Sequence, residues 1–91
     1  MEWSDIYQRV PECLCEKLDE EAIVYNPLTA QAFELNTSSL IIWELLDGQL
    51  SVADIIALLE QTHSGANHLI SDDVASVIQQ FLAIRAAVKV S

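Results

Sequence analysis

At Asn36 the apolar spacing changes from every second residue to every third or fourth, and that switch divides the chain into a strand-forming part and a helical part. In Gln31-Ala32-Phe33-Glu34-Leu35, Phe33 and Leu35 share one face while Ala32 and Glu34 share the other, the pattern of a strand covered on one side. Upstream, Cys13–Leu18 reads as a strand, and so does Ala22–Tyr25, which is rich in branched and aromatic residues. Asp19-Glu20-Glu21 is a polar turn between these two. Asn26-Pro27-Leu28-Thr29 carries turn chemistry, because Asn bonds its own backbone and Pro presets φ, so the runs on either side form a hairpin. Ile6–Val10 is a further extended piece, ended by Pro11.

Downstream, Asn36 or Thr37 caps a helix through Leu40–Leu46. That segment is apolar nearly all round, which predicts a central, buried helix. Asp47-Gly48 ends it, Gly48 suiting the left-handed position that follows a helix. Ser51 and Asp54 resemble a capping box opening a second helix, with Val52, Ile55, Ile56 and Leu59 as its stripe. Thr62–Ile70, with His63 and His68, reads as a loop. Ser71 caps a third helix, Asp72 and Asp73 suit its positive end, and Val74, Val77, Ile78, Phe81 and Leu82 form its stripe. The tail Ala87–Val90 fits either helix or a short strand. Strands followed by three helices predict an α+β fold in a single domain over residues 1–91. It is winged-helix-like, a small three-stranded antiparallel sheet followed by three helices.

Charge narrows the partners. The formal net charge is −10, and only Arg9, Lys17, Arg85 and Lys89 are basic. Nucleic-acid binding needs several cations to displace counterions from phosphates, so it is disfavoured, as is an anionic membrane surface. The third helix also leads with two carboxylates, which opposes a DNA-reading winged helix. A partner carrying basic residues is favoured for encounter. No apolar run approaches the ~20 residues of a membrane helix, the first residues do not form a signal peptide, and the expected location is the cytoplasm.

No constellation for catalysis emerges. With two glycines neither a phosphate-binding loop nor a dinucleotide fingerprint can be built. Ser38 and Ser39 have no triad context. Cys13 and Cys15 would share a strand face about 6–7 Å apart, which does not favour a disulfide, and with the histidines they match no zinc spacing. The chain is expected to be no enzyme and to need no cofactor or metal.

Two stretches carry a resemblance: Ala22-Ile-Val-Tyr-Asn-Pro-Leu-Thr-Ala-Gln-Ala-Phe-Glu-Leu-Asn36, and Ile42-Trp-Glu-Leu-Leu-Asp-Gly48. Together with Ser51–Ile56, Asp73-Val74 and Phe81-Leu82, they resemble the PqqD-like family, the RiPP recognition elements, over roughly Val10–Val88. The resemblance implies a chaperone that binds the leader segment of a ribosomally made precursor peptide. It would present the leader to a modifying enzyme such as a radical-SAM maturase, or to a leader peptidase. The leader would add as a strand beside Gln31, Ala32, Phe33, Glu34 and Leu35 and pack toward Asp73, Val77, Gln80 and Phe81. An exposed edge strand pairs with extended peptides in this way, and could equally support a homodimer. Ala30 and Ala86-Ala87 replace glycine-containing family positions, and Leu46 replaces a Cys usual in the family's founding protein, so a relative of that protein is expected. The competing reading is a generic interaction or assembly subunit that contacts its partner through the helices.

Overall fold

The computed structural model describes residues 1–19, 21–62 and 70–90. Its elements run β1 (Ile6–Arg9), β2 (Leu14–Leu18), β3 (Glu21–Asn26), β4 (Gln31–Leu35), α1 (Thr37–Leu45), β5 (Asp47–Ser51), α2 (Val52–Thr62), α3 (Ile70–Ala83) and β6 (Ala87–Lys89). The three expected strands are there as β2, β3 and β4, paired antiparallel in that order, and the three helices follow. A second antiparallel sheet, ordered β5-β1-β6, joins the first extended piece, the tail and the segment after α1. The fold is therefore α+β, with two small sheets where one was expected.

Local chemistry explains most boundaries. Asn36 is the cap of α1: its side chain accepts from the Ser39 amide, and the Ser39 hydroxyl accepts from the Asn36 amide. The Ser51–Asp54 box is equally reciprocal, Ser51 N–H donating to Asp54 and Asp54 N–H donating to Ser51 Oγ. Gly48 does sit at φ +78, but inside β5, where the pairing with β1 is irregular. A side chain there would also meet Gln8 Oε1 at 2.8 Å. Asp-Gly thus turns the chain out of α1 and directly into a strand, a continuation hidden from a periodicity argument because β5 is only five residues long. Ser71 lies within the first turn of α3, which already includes Ile70, so it is not the cap. The expected Thr62–Ile70 loop, with His63 and His68, falls largely outside the described residues.

The core gathers Val24, Leu35, Ile42, Leu46, Val52, Ile55, Val74, Ile78 and Phe81, all but sealed from solvent. Phe81 is 0% exposed and packs edge-on to Phe33 at 5.4 Å and against Trp43 at 5.1 Å, so one ring joins α3 to β4 and α1.

The end of α3 is a second junction. Ala86 N–H donates to Phe81 O and Arg85 N–H to Leu82 O, a Schellman pair with Arg85 left-handed at φ 59. The left-handed residue is thus Arg85, one position before the Ala86-Ala87 pair noted in the sequence. Buried Asn26 donates to the carbonyls of Ile84 and Arg85 at 2.8 and 3.0 Å and accepts from Leu28 N–H, tying the β3–β4 turn to α3. Ala30, in that turn, is left-handed at φ 56.

Beside β1, buried Asp5 accepts from Glu2 N–H and Tyr7 Oη–H and pairs with Lys89 of β6. The Glu2 amide is the largest influence holding this carboxyl below the usual range, with Lys89 and Tyr7 adding to it and desolvation opposing.

Three outcomes are expected. Phe81→Ala lowers unfolding free energy by about 3–5 kcal/mol in urea titration, because the cavity would open between three elements. Arg85→Gly and Ala30→Gly each raise it by up to about 1 kcal/mol, relieving a left-handed side-chain residue. A folded-state pKa below the unfolded value means that Asp5 contributes stability fully above about pH 3.9, and that this is lost as pH falls through the lower folded value. Asp5→Asn should therefore flatten the acid limb of a stability–pH profile measured by denaturant midpoint.

Candidate functional site

Among the described residues β4 is an edge of its sheet, pairing with β3 alone. Cross-strand partners share a face, so the registers Ala22↔Leu35 and Val24↔Phe33 turn Leu35 and Phe33 toward the helices. Ile23↔Glu34 and Tyr25↔Ala32 turn Glu34 and Ala32 away from them. One charge, on Glu34, blunts this edge. The opposite edge, β2, carries Lys17, whose ammonium lies 3.3 Å from Glu44.

Beside the C-terminal end of β4 the surface is concave. A cleft of about 260 Å³ lies between α1 and α3, lined by Asn36, Ser38, Ile42, Asp73, Ser76 and Val77. A smaller hollow of about 200 Å³, lined by Glu21, Glu34, Leu35 and Asn36, shares Asn36 with it. The two together run from the β4 edge onto the first half of α3. The floor is apolar through Ile42 and half-buried Val77, and the rim carries the carboxylates of Glu34 and Asp73.

The anticipated site residues separate into groups. Glu34, Leu35, Asp73 and Val77 line these hollows. Gln31 and Ala32 are exposed farther along the same strand, and Gln80 is exposed on α3 but lines neither hollow. Leu35 is all but buried where it lines the smaller hollow, and Phe81 is sealed in the core and lines neither. Phe33 is half-buried against Phe81. Phe81 therefore supports the groove from within the core. Sequence reasoning missed Asn36, Ser38 and Ser76. The signal for Ser76 was its spacing three residues after Asp73, which puts both on one helix face. Asn36 was read only as a cap, and Ser38 only as a serine without a triad context.

A third cleft, about 290 Å³, opens on the β2 side, with Arg9, Cys13, Cys15 and Trp43 among its walls. Arg9 Nη1–H groups donate to the carbonyls of Trp43 and Glu44, so this cation secures the end of α1. Burial pushes both thiols above their ordinary range, Glu12 adding to it at Cys13, so neither is an activated nucleophile. Among the described residues no group of three or more His, Cys, Asp or Glu converges as a metal site, and no helix is long and apolar enough to cross a membrane.

The fold has a solved counterpart. The structure titled TbiB1 in complex with the TbiA(beta) leader peptide superposes with a TM-score of 0.73, covering 88% of this chain and 93% of that chain at 15% identity. At that identity the likeness speaks for the fold. No curated protein matches the sequence. The family model described as coenzyme PQQ synthesis protein D (PqqD) matches residues 21–85, from β3 through the turn that closes α3. With that match spanning well over half of its length, the chain belongs to the PqqD family.

Proposed function

We propose that this chain binds the leader segment of a ribosomally synthesised precursor peptide and presents it to a processing enzyme, either a radical-SAM maturase or a leader peptidase. The observation that carries this reading is the open β4 edge, lightly blunted and adjoined by a cleft that continues onto α3. Family membership supports it, as does a shared fold with a protein solved with a leader peptide. An extended peptide completes the unpaired backbone of β4, which supplies affinity without regard to sequence. Specificity comes from side chains on alternate positions. One side of the added strand faces Ile42 and Val77 and selects an apolar residue; the rim of Glu34 and Asp73 selects a Lys or Arg. The chain performs no covalent chemistry in this reading. Its work is to raise the local concentration of the peptide at the enzyme, in the cytoplasm, where such precursors are made.

Titration with leader peptides from any precursor encoded nearby, read by fluorescence polarisation, should give a dissociation constant of about 0.1–10 μM. Asp73→Lys should weaken it about fivefold, near 1 kcal/mol, as expected for an exposed charge contact. A leader that does not bind at concentrations far above that range would remove the proposal.

A further inference from the structure

The face of the β2-β3-β4 sheet that looks away from the helices meets the groove at Glu21 and Glu34, and beyond them it is not an ordinary polar surface. Register places Leu14, Tyr25 and Ala32 in one row across it, Glu16, Ile23 and Glu34 in the next, and Leu18 with Glu21 in the last. Leu14 is 62% exposed, Leu18 49% and Tyr25 40%. Isolated exposed leucines need no explanation, but a contiguous set on one sheet face marks an interaction surface. Its charge is one-sided. Glu16, Glu21 and Glu34 surround Ile23, whereas Lys17, the cation of this sheet, has Ala22 as its register partner and reaches Glu44 of α1 on the opposite face. Glu16 and Glu34 stand two strand spacings apart, about 10 Å, on either side of an apolar centre.

The geometry points to this outer face as the docking surface for the processing enzyme, through an apolar patch on that enzyme ringed by Lys or Arg. This rests on the proposed leader-binding function. A second copy of this chain is the poorer occupant, because two such faces would oppose carboxylate to carboxylate on molecules already at −10. The placement is also productive. A leader added at β4 extends the same sheet, so an enzyme seated on its outer face lies over the strand that holds the substrate.

The test uses Leu14→Ser and Glu16→Lys, both on β2, the strand farthest from the β4 edge. Each variant is titrated by calorimetry with any radical-SAM maturase or leader peptidase encoded nearby and, separately, with the leader. The inference expects at least tenfold weaker enzyme binding, unchanged leader affinity, and wild-type enzyme binding that weakens as salt rises. Unchanged enzyme binding by both variants would overturn it. So would wild-type protein that sediments as a dimer which Leu14→Ser dissociates, since a second copy would then own the face. Failure of the leader to bind wild-type protein would strike at the proposed function instead, and is read in its own titration.

Discussion

The Phe81 ring, held between Phe33 of β4 and Trp43 of α1, fixes the geometry on which everything else depends. A strand edge is useful to a peptide only if something rigid stands beside it to receive the side chains that the added strand projects. Packing of aromatic rings has definite distances and angles, so burying one ring against two others sets how far α3 stands from β4. The same ring ties α3 to α1 through Trp43, and the cleft lies between those two helices. Phe81 accordingly shapes this surface from within the core.

A second constraint works just past Phe81, where the same helix ends. The carbonyls of Ile84, Arg85 and Ala86 accept hydrogen bonds from Asn26 and from Val10 N–H. Carbonyls of the turn that closes α3 are thereby used to moor both sheets. The β3–β4 hairpin is thus pinned at its turn by Asn26 and in its middle by Phe33, and among the described residues the outer edge of β4 has no neighbouring strand. The acidic character of the molecule then distributes unevenly. Three of the four cations are engaged by the fold itself, Arg9 on the end of α1, Lys17 on Glu44 and Lys89 on Asp5, while carboxylates front the β4 groove and the outer sheet face.

Much of this was legible in the residues. The alternation in Gln31–Leu35, the Asn26-Pro27 turn and the Ser51–Asp54 box each rest on short-range chemistry, and each appears in the structure. The β5-β1-β6 sheet was not legible as a sheet, because strands of three to five residues separated by most of the chain have no local pattern that announces their pairing. Among the site residues, Asp73 and Val77 could be found from helical spacing. The depth of Phe81 could not, since a stripe position reads alike whether it lies at the rim of a groove or beneath it. Ser38 and Ser76 escaped because only the approach of α1 to α3 makes them neighbours.

The central claim is that a peptide becomes the next strand beyond β4. Amide hydrogen exchange on labelled protein, with and without saturating leader, tests it most directly, because a backbone hydrogen bond formed at an edge slows exchange at the amides that donate it. The account predicts new protection at alternate amides within Gln31–Leu35, with no change along β2. Protection appearing on β2, or only on the helices while β4 exchanges as freely as before, would contradict it.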